Sequence, residues 1–361
     1  MKKLSLPALL ALGLVFGVTA SPALAQGPAA VSPYTLTVFA KAPTGLSAPD
    51  SIAVLGNRVF VGYGDGHAPD GSDGLNSQVV EYRMDGSVVH TYTVLGHNDG
   101  LKIDPITHRL WVIQNEDASP NLVIIDPVSQ DRKLYSFGPT PHGGGYDDVV
   151  FHGCDVYISA SNPANNPNTG PAIVSARLEG RLVEVEPLLA GDANASDIPT
   201  DASIQLNLQD PDSMTLDPLG NIVLDSQADQ ELIIVTNPGA PNQRALRLPL
   251  SYVATGGTIT SVETDDTAFV NSSQGFLLFA DKGLNTVYKL QKSAFAPGSA
   301  YTAADGGPFV GTLDLTSGMI TPVVTGLKGP GGIVFVDTSK PESDPRHDAP
   351  DACRDRERNS W

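Results

Sequence analysis

The sequence lacks the residues and patterns on which several common kinds of protein depend. Lysine and arginine number 22 against 40 aspartate and glutamate residues, giving a formal net charge of −18. A chain this acidic repels phosphate backbones, so we expect no nucleic-acid partner. There is no G-x-S-x-G nucleophile elbow, phosphate-binding glycine loop or dinucleotide-binding fingerprint, which argues against the usual serine-hydrolase and nucleotide chemistry. The cysteines and histidines form no zinc motif.

Long apolar runs are also missing, apart from one at the start of the chain. A short basic start precedes an apolar stretch over residues 4–19, and residues 23–25 read Ala-Leu-Ala, which fits a cleavage site. The stretch is too short to span a bilayer. We predict a signal peptide over residues 1–25 and a secreted chain, periplasmic or extracellular, with no membrane partner after cleavage. Loss of Lys2 and Lys3 would change the formal charge from −18 to −20.

Cysteine is scarce, since Cys154 and Cys353 are the two in the chain. In an oxidising compartment they would pair and tether the C-terminal tail, but two separate thiols fit the spacing equally well. Residues 339–361 are charged, contain proline and show no apolar period. We therefore predict a disordered tail there.

The remaining sequence is organised by a repeat. Aromatic residues make up only 6%, whereas glycine (36) and proline (29) are abundant, which indicates short strands joined by turns. An acidic residue, a small or variable residue and alternating apolar positions recur at Asp50, Asp99, Asp147, Asp212 and Asp265, and at Gly331 in a copy without the acid. These starts lie 49, 48, 65, 53 and 66 residues apart, which is the size of a propeller blade with insertions.

Three further strand patterns follow most of the starts, as expected for a four-stranded blade. We predict an all-β fold, a six-bladed β-propeller of antiparallel blades over residues 34–338, with five blades as the alternative. The fifth unit takes its second and third strands from residues 276–290. The sixth contributes one inner strand at residues 333–336, and residues 34–40 supply a strand that closes the ring. The polar insertion over residues 292–307 is interpreted as a surface loop.

The innermost strand of a propeller blade lines the channel, and its first residue lies at the mouth. We therefore expect the five repeat-start aspartates to converge. Repulsion and burial would then require either protons or a bound cation among them. Oxygen ligands in a wide, flexible ring favour Ca²⁺ as the divalent cation. Alternatively, each aspartate caps the turn into its strand, above all Asp99 and Asp265.

Two histidines precede acids on this predicted face. His97 comes before Asp99 and His142 before Asp147, on adjacent units. Their imidazoles could reach one substrate and transfer protons near neutral pH, or they could be plain surface residues. Glu116 lies in a loop expected on the same face and is a candidate for substrate binding.

Two segments resemble motifs of the senescence-marker-protein/gluconolactonase family. Residues 97–105 (H-N-D-G-L-K-I-D-P), followed by Arg109 and Trp111, are similar to its second-blade motif, and residues 211–221 (P-D-S-M-T-L-D-P-L-G-N) to a later one. Elsewhere in residues 46–338 the chain shares with the family only the regular recurrence of blade-sized strand patterns. The resemblance implies a six-bladed propeller with one divalent metal, usually calcium, at the channel mouth, and lactone hydrolysis as a common activity.

The same resemblance assigns roles by position. It implies metal binding by Asp50, Asp147 and Asp212, with Asp212 also acting as base, and substrate binding by Asn98 and Asp99. The family has asparagine where Asp147 stands. It also has a substrate-binding arginine just before Asn-Asp-Gly, where this chain has Gly96 and His97.

Two functions follow as hypotheses. The first is a calcium-type hydrolase of a small lactone or related ester, in which the cation polarises the carbonyl and Asp212 or His97 activates water. The second is a non-catalytic extracellular propeller that binds a partner or glycan and holds a structural calcium. Convergence of Asn98, Asp147 and Asp212 favours the first, whereas the missing arginine and the long polar loops favour the second. We expect a monomer.

Overall fold

Strands form nearly all the regular structure in residues 27–339, the part of the chain that the computed structural model describes. The predicted signal peptide, Cys353 and residues 340–361 of the predicted tail lie outside it. No helix in the described part is long and apolar enough to cross a membrane. Its single helical element is a 3₁₀ turn at Lys282–Leu284.

Two strands, β1 (Ala29–Ala30) and β2 (Thr35–Lys41), precede four units that are consecutive in the chain. Unit 1 contains β3 (Pro49–Leu55), β4 (Arg58–Tyr63), β5 (Asn76–Arg83) and β6 (Val88–Leu95). Unit 2 contains β7 (Asn98–Ile103), β8 (Leu110–Gln114), β9 (Asn121–Ile125) and β10 (Arg132–Phe137). Unit 3 contains β11 (Val149–His152), β12 (Asp155–Ser159), β13 (Pro171–Glu179) and β14 (Leu182–Ala190). A hairpin of β15 (Asn194–Asp197) and β16 (Ala202–Gln205) precedes unit 4 and extends its outer edge. Unit 4 contains β17 (Pro211–Leu216), β18 (Ile222–Ser226), β19 (Glu231–Thr236) and β20 (Arg244–Pro249).

The last two units are interleaved in the chain. After the hairpin β21 (Ser251–Val253) and β22 (Ile259–Ser261) come β23 (Asp266–Phe269), β24 (Gly275–Asp281), β25 (Thr286–Gln291), β26 (Ala300–Ala304), β27 (Phe309–Leu313), β28 (Met319–Thr325) and β29 (Pro330–Asp337). Unit 5 has the order β23-β26-β27-β28, and unit 6 has the order β29-β24-β25-β2. The N-terminal strand β2 thus completes the last unit, as predicted. The sequence predicted only two strands for the sixth unit, at residues 333–336 and 34–40. This was wrong, because the unit has four strands.

The interleaving also corrects two other expectations. Residues 276–290 belong to unit 6, because β24 pairs with β29 and not with β23. Residues 292–307 are not a surface loop throughout, since β26 is buried and pairs with both β23 and β27. Four of its five residues are alanine or threonine, so it carries little of the apolar alternation by which the other strands were found.

The inner strands close into a ring. Contacts run from β3 to β7, β11, β17, β23 and β29 in turn, and from β29 back to β3. Middle strands are covered on both faces by neighbouring units and therefore read as continuous apolar runs, as in β8, where all five residues are buried. Within the described residues the strands form six four-stranded antiparallel units, and the predicted all-β propeller is confirmed.

A layer of charge lies inside the channel and joins neighbouring units. Asp148 Oδ2 lies 2.8 Å from Lys102 Nζ on unit 2 and accepts a hydrogen bond from Met214 N on unit 4 (2.9 Å). Asp266 on unit 5 makes the same kind of contact with unit 6, since its Oδ2 accepts from Ile333 N (3.0 Å). Each of these aspartates directly follows a repeat-start acid. The second residue of the repeat therefore holds the ring together at these two positions.

Replacing buried Asp148 with alanine should destabilise the protein by about 2–4 kcal/mol, because half-buried Lys102 would lose its direct partner and Met214 N its acceptor. Urea unfolding would measure the loss. Asp155→Ala removes the same charge from an exposed position at the start of β12 and should cost no more than about 0.5 kcal/mol. Equal stabilities of the two variants would contradict the assignment.

Candidate functional site

A β-bulge at the start of four inner strands sets the direction of the repeated residues. In β3 the pairing with β4 steps from Pro49↔Tyr63 to Ile52↔Val61, which leaves an extra residue at Asp50–Ser51. The same step occurs in β7, β17 and β29, at Asp99–Gly100, Asp212–Ser213 and Gly331–Gly332. Bulges redirect side chains out of the regular alternation. Each acid at a bulge lines the cavity at the channel mouth.

That cavity has a volume of about 210 Å³. It is lined by all five repeat-start aspartates and by Ala48, Ser51, Gly64, His97, Glu116, Ser213, Gln227 and Lys282. The predicted convergence of the aspartates is therefore observed. Gly64, Glu116, Gln227 and Lys282 follow the second strands of their units, so these loops emerge at the same mouth, as expected.

His97 is paired with Asp99, since its Nε2 lies 3.2 Å from Asp99 Oδ1. Burial by itself would lower the pKa of His97, but the hydrogen bond and charge of Asp99 outweigh it and raise that pKa to about 9. Asn115 fixes the main chain of His97 through two hydrogen bonds of 2.9 Å, one from His97 N to its side chain and one from its own N–H to His97 O. Gly64 lies against the ring, where a Cβ would be 2.6 Å from Cε1.

The protonated carboxyl group of Asp147 donates a hydrogen bond to the carboxylate of Glu116. Burial and then the charge of Asp99 raise the pKa of Glu116 to about 8. Burial and then the charge of Asp212 raise the pKa of Asp147, and burial and then Asp265 raise that of Asp212. These carboxyl groups cannot all ionise together without a cation among them.

The sequence analysis missed Lys282, which supplies a positive charge at the mouth. Its Nζ lies 3.0 Å from Asp50 Oδ2 and 2.7 Å from Asp265 Oδ1. Gly331 makes room for it, because a Cβ there would lie 2.6 Å from Asp50 Oδ1 and 2.9 Å from Lys282 Cε. At the repeat start that lacks an acid, the side chain of Lys282, from the turn after β24, thus occupies the space.

The turn that carries Lys282 is held by Asp281. The buried carboxylate of Asp281 accepts from Leu284 N and from Lys328 N, both at 3.0 Å. Lys282 N donates to Gly329 O at 2.7 Å. A lone lysine in a loop of the acidic face, together with the missing acid at Gly331, was the available signal. Proximity of the two depends on the β24–β29 pairing, which the sequence did not reveal.

Two predicted residues do not reach the cavity. Asn98 is fully buried, donates through Nδ2 to Ile113 O (3.3 Å) and lies against Gly62, because it precedes the bulge and points between the sheets. His142 Nε2 lies 2.6 Å from Gly145 O, and burial lowers the pKa of His142. Ala164 N bonds to His142 O (2.9 Å), so the loop after β12 covers the histidine that was expected to contact substrate.

The acidic site fits a divalent cation, although not all of the predicted metal ligands are available to it. Asp50 forms an ion pair with Lys282, whereas Asp147 and Asp212 are not in contact with this lysine. Among the described residues, the potential ligand atoms of His97, Asp99 and Glu116 all lie within 4.8 Å of one another. Asp99 Oδ2 is buried there without a hydrogen-bond partner.

The donor set indicates which kind of cation suits the site. With a pKa of about 9, His97 is protonated at neutral pH and offers no lone pair. The remaining donors are carboxylate oxygens, which suit Ca²⁺ or Mg²⁺. Asp99 and Glu116 of this cluster would bind the ion, and Asp147 and Asp212 line the same cavity.

Known proteins resemble this chain only in general architecture. Virginiamycin B lyase from Staphylococcus aureus has a TM-score of 0.47 at 10% identity, over 86% of this chain and 90% of that one. A streptogramin B lyase has 0.44 at 11% (86% and 74%), and a gluconolactonase-like protein 0.42 at 12% (82% and 83%). No protein family matches the sequence, and no curated protein gives a significant match. The activity of this chain must therefore be argued from its own residues.

The melting temperature of the calcium-free protein should fall as the pH rises from about 5 to 9. The folded-state pKa of Glu116, about 8, lies above its ordinary value of 4.5, so its contribution to stability is complete below pH 4.5 and is lost as the pH rises through 8. Thermal melts in chelator would show a smaller drop in melting temperature for Glu116→Gln, corresponding to a free energy of unfolding that declines less steeply by up to about 1.4 kcal/mol per pH unit.

The matched control is Glu179→Gln, which removes a carboxylate whose side chain is 65% exposed. It should follow the wild-type decline. If Glu116→Gln also followed the wild-type decline, ionisation of Glu116 would not be the cause of the loss of stability.

Proposed function

We propose that the protein is a secreted, metal-dependent hydrolase that cleaves a small lactone or related ester in the mouth cavity. The observation that carries the proposal is the charge of that cavity. Six carboxylates line about 210 Å³, and the cationic side chains among the lining residues are Lys282 and His97. A buried excess of negative charge requires a further cation or protons.

The cation would be held by Asp99, Glu116, Asp147 and Asp212. When bound, it would compensate their charge and polarise the substrate carbonyl. The cavity is smaller than the roughly 300–1,000 Å³ of pockets for drug-sized ligands, which favours a small substrate. Since a signal peptide is predicted over residues 1–25, we propose that the enzyme acts outside the cytoplasm, and we propose that it is a monomer.

Two side chains are suited to the proton transfers of ester hydrolysis. Burial raises the pKa of Asp212, and a bound cation would favour its ionised form, whose carboxylate can accept the proton of an attacking water. His97, protonated at neutral pH, can donate to the leaving oxygen. The water oxygen then bonds to the carbonyl carbon, the C–O bond of the ester breaks, and the lactone opens to a hydroxy acid.

One observation favours a second candidate, a non-catalytic propeller with a structural cation whose loops bind a partner or glycan. Lys282 neutralises Asp50 and Asp265, and Glu116 hydrogen-bonds Asp147. Since Asp99 pairs with His97 and Asp212 accepts from Ser213 Oγ (3.3 Å), all six carboxylates are already engaged with other side chains. This second function predicts cation binding without turnover.

Hydrolysis of a lactone panel by the mature protein, with calcium and with chelator, would test the first function. We expect calcium-dependent turnover that falls by about 100-fold or more in Asp212→Asn. Asp201→Asn is the control, because this exposed residue has φ 56°, a conformation that asparagine tolerates well. No turnover on any lactone, with a melting temperature still raised by calcium, would support the structural cation instead.

The pH dependence of kcat/KM would test the role of His97. Activity should decline as the pH rises through about 9, where His97 loses its proton. His97→Gln should reduce kcat/KM by about 100-fold and remove this alkaline limb. His152→Gln, at the opposite end of β11 from the mouth, should keep the wild-type profile. An alkaline limb that persisted in His97→Gln would assign the proton donor elsewhere.

A further inference from the structure

We infer that Lys282 is a tethered counter-cation, which occupies the sixth position of the acid ring and confines an added cation to the opposite half of the cavity. The inference rests on the proposed function in one respect, namely the added cation. What it says of Lys282 can be tested whether or not the wild-type protein binds metal.

The first support is the geometry of the ammonium group. Lys282 Nζ donates a hydrogen bond to Asp265 Oδ1 at 2.7 Å and forms an ion pair with Asp50 Oδ2 at 3.0 Å, so one ammonium group contacts carboxylates from units 1 and 5. The side chains of these two acids are only 14% and 6% exposed. Leaving them unpaired in such surroundings would be strongly unfavourable.

The second support is the space that Gly331 leaves. Five repeats place an aspartate at the mouth, and unit 6 places a glycine at the matching bulge. A Cβ on Gly331 would collide with Asp50 Oδ1 and with Lys282 Cε, and would lie 3.2 Å from Asp265 Oδ2. The backbone of unit 6 is therefore shaped to admit the lysine between the acids of units 5 and 1.

The third support is the rigid mounting of the lysine. Its turn is closed by Asp281 and bonded to the chain just before β29 by Lys282 N→Gly329 O at 2.7 Å. A flexible surface lysine could exchange its carboxylates for water, but a lysine on a capped turn remains beside them. It performs the charge compensation of a metal ion without depending on one.

The consequence is a cavity with two unlike halves. Asp50 and Asp265 contact Lys282 directly, whereas among Asp99, Glu116, Asp147 and Asp212 the ion pair that the described residues show is that of Asp99 with His97. Asp99 Oδ2, buried and without a partner, lies in the second half. An added cation therefore binds on that side, and Asp50, predicted as a metal ligand, does not contact it.

Calcium titration by calorimetry on the full mature protein tests the inference. Lys282→Met should bind one more Ca²⁺ per chain than the wild type, because two carboxylates lose their cation, with a Kd no weaker than about 1 mM. In chelator its melting temperature should drop by about 5–10 °C, and calcium should restore most of that loss. Lys328→Met removes an exposed lysine close to the same turn and should change neither value.

A second variant keeps the inference testable if Lys282→Met fails to fold. Asp50→Asn in the wild-type background should weaken calcium binding by less than about fivefold, whereas Asp147→Asn should weaken it by more than about tenfold. No additional ion in a folded Lys282→Met, or a tenfold loss in Asp50→Asn, would overturn the inference. A wild-type protein that binds no calcium while Lys282→Met binds one would overturn the proposed metal dependence and support the role of Lys282.

Discussion

Repulsion among carboxylates brought together at one end of the channel is the constraint on which the rest of the site depends. Closing a ring of repeated strands places the first residue of each strand beside its neighbours, so a repeated aspartate becomes a ring of negative charge. The structure relieves the repulsion in three ways. Lys282 compensates two acids, His97 pairs with a third, and Glu116 and Asp147 share a hydrogen bond. What remains uncompensated on one side of the cavity is the physical basis for cation binding.

The same repeat serves both stability and the site, through neighbouring positions. The repeat-start acid faces the mouth, and where an aspartate follows it, as at Asp148 and Asp266, that second residue accepts a backbone N–H of the next unit. Adjacent side chains of an extended chain point in opposite directions, which separates the two roles. Substitutions at neighbouring positions of one repeat should therefore affect different properties, one stability and the other charge at the mouth.

Ring closure has a consequence for the chemistry as well as for the fold. Unit 6 takes β2 from the N-terminal segment and β24, β25 and β29 from the C-terminal third, which leaves no open edge between the first and last inner strands. The pairing of β24 with β29 also brings Lys282 to Gly331. The strand pairing that closes the ring therefore also places Lys282 among the carboxylates.

The sequence by itself determined the all-β class, the spacing of the repeat and the convergence of Asp50, Asp99, Asp147, Asp212 and Asp265, because period-two patterns and repeat starts are local features. Local patterns also sufficed to place His97 and Glu116 at the mouth. Only the tertiary structure decided the rest. The burial of Asn98 and His142 depends on a bulge and on a covering loop, and the partner of Asp50 is 232 positions away along the chain. Strand exchange between units 5 and 6 is a non-local pairing that no residue pattern within either unit specifies, and it decides where the lysine lies among the acids.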